Sequence, residues 1–412
     1  MELPQEPCIR RPPARWVMER ARDVATRLAA RAQEVEQTRA IPIATMQELH
    51  HAGLLTMGIP RALGGMECDL VTQLAVFELL GGACASTAWC LGNHTGDCLI
   101  LQHTLGERAR PYLTAVVEEG AVLAGVSVPA GRTRAVPGGF RASGRWPFVS
   151  SSHRARWIFL STLVPGPPPE APSGAAEPPP QAHLRLLWVR QGDPGVRIVA
   201  TWQAMALRGS MSHDVVLEDA FISDEHAPVF HRPAPETPWL PHGPPALRVP
   251  QARTWPFVPA TMLGIAHAAL QDTLAWATTA PMSLGGQPRA RMPGHQFAVA
   301  EAAMRLEAGR AFVYQEAQAL MAKGEAGEPF TRTDAIRWQM ADLVAREHAQ
   351  QAVDRLFAIR GAHGLYEAER FERYYRDVRM GTLLAVQAPD LFRELIGKHL
   401  FGIPEDVVPR WG

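Results

Sequence analysis

Lysine is almost missing from this chain. Of its 41 basic residues only Lys323 and Lys398 are lysine. Its cationic groups are therefore guanidinium, which suits planar anions, although a codon bias in the source gives the same composition. Net charge is missing too, because 41 acidic residues balance the 41 basic ones. No overall field draws in nucleic acid. Cysteine is sparse: Cys8, Cys68, Cys84, Cys90 and Cys98. No pair has C-x-x-C spacing and no histidine cluster accompanies them, so no zinc site is expected. Four fall in one apolar region and read as reduced, buried thiols. No run of eighteen apolar residues is present, so no membrane span is expected. The first residues carry Glu2 and Pro4 rather than an apolar core, so they do not read as a signal peptide. These absences predict a cytoplasmic protein with no metal, nucleic-acid or membrane partner.

What is present is a chain of 412 residues with 47% apolar content, long enough for two or three domains. Val17, Val24, Leu28 and Val35 recur at helical spacing, predicting a helix from Trp16 to Glu36. Thr45 and Glu48 read as a capping box. Leu70 to Leu101 reads as helical and apolar, with small residues from Gly81 to Ala88 that let another helix or a cofactor approach. After Gly120 the pattern changes to short strands: Val122–Val128, Phe140–Ser143, Trp157–Leu163, Leu184–Val189 and Val215–Leu217. Pro165–Pro180 reads as a loop between strands. Helices return at Phe257–Thr278, at His295–Met321, from a Thr333 cap to Arg360, and at Leu383–Leu400 with a break at Pro389. The expected layout is an N-terminal helical domain (1–120), a central β domain (121–226), a Pro-rich linker (227–250) and a C-terminal four-helix bundle (251–412).

One segment stands out: Gly144-Arg-Trp-Pro-Phe-Val-Ser-Ser-Ser-His153 sets large aromatics beside three serines. A strand core has no need of the serines, and a loop has no need of the aromatics. A flat, partly polar ligand needs both. On this segment alone, a β core with solvated serines is the better account.

Four ordered motifs carry a resemblance that covers most of the chain. Ile59-Pro60 with Leu63-Gly-Gly65, Ala85-Ser-Thr-Ala-Trp89, Arg208-Gly-Ser-Met-Ser-His-Asp-Val215 and Tyr375-Arg-Asp377 resemble motifs of the acyl-CoA dehydrogenase superfamily. That resemblance implies a mainly α fold with a small central β-barrel or sandwich, and commonly a homotetramer. It also implies a flavin lying against the Trp146–Trp157 segment. Trp146 and Phe148 would face the ring, Ser150 would bond near its N5, and Ser127 would reach its pyrimidine side. His363, in the Gly361–Gly364 turn, matches a place from which relatives contact flavin. His213 and Asp214 would cap a turn or meet a phosphate, and His153 with Arg154 would pair with phosphate or lie on the surface.

The superfamily holds two chemistries. Its dehydrogenases need a carboxylate base at the substrate α-carbon. The two places where that Glu usually stands match Ala385 and the neighbourhood of Trp255, and neither is acidic. The other branch comprises two-component monooxygenases. Pro129-Ala-Gly131 and Gly138-Gly-Phe-Arg-Ala-Ser-Gly-Arg-Trp-Pro-Phe148 resemble its signature more closely. That branch implies reduced FMN or FAD supplied by a separate flavin reductase, together with O2, acting on an aromatic or natural-product-like small molecule. Its usual histidine matches Leu384, which cannot move a proton. His94, with Asn93 and Asp97 to orient it, is the replacement candidate for acid–base work. A relocated base in an acyl-thioester dehydrogenase and a non-catalytic scaffold remain as alternatives.

Overall fold

The computed structural model describes residues 11–166, 182–231, 234, 236–250, 255–281, 286–384 and 387–404. The chain begins with helices α1 (Arg15–Thr38), α2 (Ile43–His51), α3 (Leu70–Ala83), α4 (Ala85–Leu105) and α5 (Arg110–Glu119). Strands β1 (Val122–Val126), β2 (Arg132–Val136), β3 (Gly139–Val149), β4 (Ala155–Pro165), β5 (Ala182–Arg190), β6 (Val196–Val199) and β7 (His213–Ser223) follow. Helices α6 (Phe257–Thr279), α7 (Pro293–Ala326), α8 (Arg332–Arg360), α9 (Arg370–Asp377), α10 (Met380–Leu383) and α11 (Pro389–Phe401) complete it. No helix among the described residues is long and apolar enough to cross a membrane.

The strands form two sheets, ordered β1-β4-β5 and β2-β3-β7-β6. The three-stranded sheet is buried on both faces, and side-chain alternation shows how. Leu123, Phe159 and Trp188 join the core made by the helices, whereas Ala124, Ile158, Leu160 and Leu187 join a second core between the sheets. This explains the continuous apolar run of β4, since a strand covered on both sides has no polar face. The strands that sequence patterning did not predict, β2 and β6, are the two edges of the four-stranded sheet. Edge strands take charged residues such as Arg132 and Arg134, and these erase the alternation signal.

Helix ends supply several corrections. The helix expected from Leu70 to Leu101 is two helices, parted at Cys84, whose backbone is extended (φ −155°, ψ 100°). Thr45 does not cap: α2 starts at Ile43 behind Pro42, and Glu48 instead meets Arg31 at 2.8 Å. The cap of α8 is Thr331, not Thr333, and it forms a reciprocal capping box with Asp334. Tyr375-Arg-Asp377 closes the short helix α9 rather than opening the last one. The small residues near Gly81 serve helix packing. A Cβ added at Gly81 would lie 2.8 Å from Thr261 Cα, and one at Gly264 would lie 2.0 Å from the Glu78 carbonyl oxygen. Helices α3 and α6 thus cross at backbone contact, and no cofactor stands between them there.

Candidate active site

Strand β3 pairs with β7 from Gly139 to Trp146, with one irregularity between Ala142 and Gly144, and Trp146 faces Val215. The next pair is Val149 with His213, so β3 carries one extra residue at Pro147-Phe148. This bulge decides the site. In a regular strand residues 146 and 148 share a face. Here Trp146 is fully buried, while Phe148 is 65% exposed with φ +63°. A positive φ on a bulky residue costs roughly 1–2 kcal/mol, and an exposed ring gains little burial in return. A strained, outward aromatic of this kind fits a ligand platform. Phe148 meets the Trp202 ring edge to face at 6.1 Å.

Trp146 must be reassigned. It was expected beside a cofactor, but its Nε1 donates to the Ser161 carbonyl at 2.7 Å, and the backbone of Gly131 closes on its ring. It is core, and the bulge is the reason. The same Ser161 carbonyl accepts from Ala130 N–H at 3.0 Å, which ties the loop carrying half-buried Ser127 to this segment.

Ser150 is buried and heads a row of hydroxyls. Trp89 Nε1 donates to Ser150 Oγ at 3.3 Å. Ser150 Oγ lies 2.8 Å from Ser212 Oγ, which lies 2.8 Å from Ser210 Oγ. A row of hydroxyls can reverse its donor direction as a unit. Ser150 can therefore offer either a proton or a lone pair. Ser210 and Ser212 belong to a motif the sequence displays openly, but their role depends on β7 lying beside β3.

His94 does not serve as the acid–base group. Leu123 N–H donates to its Nδ1 at 2.9 Å, and its Nε2 faces the Leu55 carbonyl at 2.9 Å. These partners fix one neutral tautomer and leave no nitrogen open. Complete burial pushes its pKa down to about 4. Asn93 does not orient the ring, because its amide donates to the Trp89 carbonyl at 2.9 Å. His94 ties α4 to β1 and to the turn at Leu54–Thr56. The other histidines are spread out. His363 is exposed beside Tyr366. His153 and His213 lie ring against ring at 4.5 Å, and Trp202 N–H donates to His213 Nδ1 at 3.1 Å. Asp214 is held by Arg145 at 2.5 Å. Leu384 is half-buried against the helical core, and Ala385 lies outside the described residues.

The sequence motifs meet elsewhere, in a charged clamp. Arg376 Nη2 donates to Glu36 Oε2 of α1 at 2.7 Å, and the same guanidinium holds Glu372 and the Met205 carbonyl. Asp377 accepts from Leu207 N–H at 2.7 Å, and Ser86 Oγ accepts from Gly209 N–H at 3.2 Å. Burial, with Glu36 nearby, pushes the Asp377 carboxyl up to about 7. This network joins α1, α4, the 207–211 turn and α9. Its groups are saturated by one another, so it fastens elements together rather than binding a ligand.

A narrow crevice opens between α3, α4 and the start of α6, with about 20 Å³ of enclosed room. Phe77, Trp239, Trp255 and Phe257 form its aromatic walls, and Gln73 and Thr95 supply its polar atoms. Phe257 meets the Trp89 ring edge to face at 5.2 Å, and Trp89 is bonded to Ser150. The Phe257 ring and the Trp89 indole behind it therefore stand between the cavity and the serine row. None of the described residues lining it is ionisable. Among the described residues, no group of three or more His, Cys, Asp or Glu could hold a metal.

Residues 14–119 match the family model of the acyl-CoA dehydrogenase N-terminal domain, and residues 257–388 that of the C-terminal domain. The chain is 25% identical over 394 residues to the flavin-dependent monooxygenase oxygenase subunit HsaA of Rhodococcus jostii, covering 94% of this chain and 98% of that relative. It is also 25% identical to the putative acyl-CoA dehydrogenase YdbM of Bacillus subtilis, covering 88% of this chain and 91% of that one. Among solved structures it resembles XiaF from Streptomyces sp. in complex with FADH2 and glycerol. That match has a TM-score of 0.83 at 23% identity and covers 95% and 96% of the two chains.

Proposed function

Because the chain belongs to the acyl-CoA dehydrogenase superfamily, we propose that it is the oxygenase component of a two-component flavin monooxygenase. It takes reduced FMN or FAD from a separate reductase and uses O2 to oxidise an aromatic or natural-product-like small molecule. The cavity beside the serine row carries this reading. A dehydrogenase of acyl thioesters needs a carboxylate at the substrate α-carbon, and among the described residues no carboxylate lines this cavity. HsaA, similar along nearly its whole length, is an oxygenase subunit by name, which supports a partner reductase.

The residues present fit a flavin. Phe148 already stands outward on a strained bulge and would lie against the ring. Ser150 would bond at the ring N5, its reversible hydroxyl row matching either a donor or an acceptor there. Ser127, half-buried in the loop tied to this segment, would reach the pyrimidine edge. Reduced flavin supplies the two electrons that let O2 insert one oxygen atom and release the other as water. The protein's part is to hold the ring, exclude water and position the substrate. Exposed Phe297, Leu400 and Phe401 on the C-terminal helices would be covered by further copies in a homotetramer, where His363 would meet a neighbour's flavin.

The test is an anaerobic titration with reduced FMN and reduced FAD, then exposure to O2 with a panel of small aromatics. Binding of the reduced form and a product carrying one oxygen atom from 18O2 are expected. Bleaching of tightly bound oxidised FAD by acyl-CoAs would assign the dehydrogenase reaction instead.

A further inference from the structure

Phe148 stands outward with φ +63°, and burial does not hold its ring there. Its ring meets Trp202 edge to face, with the two planes at 82°. Trp202 is half-buried in the connection between β6 and β7. Two hydrogen bonds fix it. Its backbone N–H donates to His213 Nδ1 at 3.1 Å, and its indole Nε1 donates to the Leu207 carbonyl at 2.9 Å. The residue before it is tied to the same strand: Thr201 Oγ1 donates to Asp214 Oδ1 at 2.8 Å and accepts from Asp214 N–H at 3.1 Å.

Both anchors of Trp202 lead back to the candidate site. His213 is the β7 residue opposite Val149, the first pair beyond the bulge. The contacts therefore close a circuit. Phe148 adjoins Val149, Val149 pairs with His213, His213 holds Trp202, and Trp202 meets Phe148. Leu207 is a second bulky residue in the left-handed region, at φ +47°. Such a conformation persists only where the surroundings hold it. Its N–H donates to Asp377 Oδ1 at 2.7 Å, and its carbonyl accepts from Ser210 N–H at 2.9 Å as well as from the indole. Trp202 thus bridges two strained residues: the outward ring, and the turn that the Arg376 clamp fastens.

Resting on the monooxygenase reading, we propose that Trp202 is the positioning residue of the flavin platform. It holds Phe148 in its outward orientation and, through Leu207, couples that ring to the clamp at Asp377. Its effect on flavin passes through Phe148.

The experiment is a double-mutant cycle on the full chain. Anaerobic calorimetry gives the affinity for reduced FMN and reduced FAD of wild type, Phe148→Gly, Trp202→Ala and the double variant. The denaturation midpoint of each is measured beside it. Trp202→Ala weakens reduced-flavin binding by about fivefold. The same substitution made beside Phe148→Gly costs no further affinity, because residues that act through one another do not add. Trp202→Phe keeps a ring and loses the Leu207 bond, so it falls between wild type and Trp202→Ala. Where Trp202→Ala fails to fold, Trp202→Leu takes its place in the cycle. Unchanged affinity in the folded variant overturns the proposal. So does an equal loss with and without Phe148, which would make Trp202 a direct flavin contact. Trp202→Phe as weak as Trp202→Ala also overturns it, since the ring contact would then contribute nothing. The monooxygenase reading fails separately, when wild type carries tightly bound oxidised FAD that an acyl-CoA bleaches. The same cycle read on oxidised FAD then decides the role of Trp202. A wild type that binds flavin in neither redox state overturns both.

Discussion

The clamp around Arg376 and the cleft around Phe148 use opposite chemistry. The clamp is all charge and short hydrogen bonds: Glu36, Arg376, Asp377 and Glu372 saturate one another and join helices distant in sequence. The cleft is rings and hydroxyls, with Phe148 facing outward and no ionisable side chain among the described residues of the adjoining cavity. The family motifs serve both regions. Ser86, Gly209, Arg376 and Asp377 fasten the fold, while Trp89, Ser210 and Ser212 of the same motifs stand in the row beside Ser150.

The sharpest break in this contrast is Arg376→Met. It leaves Glu36 and Asp377 buried without their cation, and the expected loss is about 3–5 kcal/mol, read as a fall in the chemical-denaturation midpoint. His94→Ala comes next. It strands the Leu123 N–H and the Leu55 carbonyl, and about 2–4 kcal/mol should be lost. The folded fraction should keep its flavin affinity, because His94 touches no ligand.

The pH response follows from the same histidine. Complete burial holds its folded pKa at about 4, below the ordinary histidine value of 6.5. The unfolded chain therefore takes up a proton first as pH falls. The contribution of His94 is complete above pH 6.5 and is lost between there and pH 4, about 3 kcal/mol in all. Wild type should lose stability across that window more steeply than His94→Gln, as followed by denaturant titrations at stepped pH.

A smaller effect belongs to the hydroxyl row. Ser212→Ala removes the partner of Ser150, and reduced-flavin affinity should fall by about threefold to tenfold, or roughly 1 kcal/mol. Thermal stability should change little, and calorimetry of binding checks both halves.

How much could be read beforehand divides along the same line. The helices of both ends and the apolar strands were legible, because α1 repeats at helical spacing and β4 is buried on both faces. The fastening of Ser86 to Gly209, and of Leu207 to Asp377, was not legible, since each bond spans more than a hundred residues. The aromatic and serine segment was singled out with Trp146 and Phe148 in one role. A single inserted residue in β3 gives them two, and nothing in Trp-Pro-Phe announces a bulge except the proline that cannot donate to a ladder. His94 looked reactive because it stands in a helix with polar neighbours. Its partners, Leu55 and Leu123, are backbone groups that no side-chain pattern reveals.

Phe148→Gly tests the central claim most directly, with thermal stability and reduced-flavin affinity measured on the same preparation. Glycine accepts the +63° φ freely, so stability should hold or rise by up to about 1 kcal/mol. Flavin affinity should fall by about tenfold or more as the platform is lost. Unchanged affinity with lowered stability would contradict the account, because it would make Phe148 a packing residue and leave the cleft without its platform.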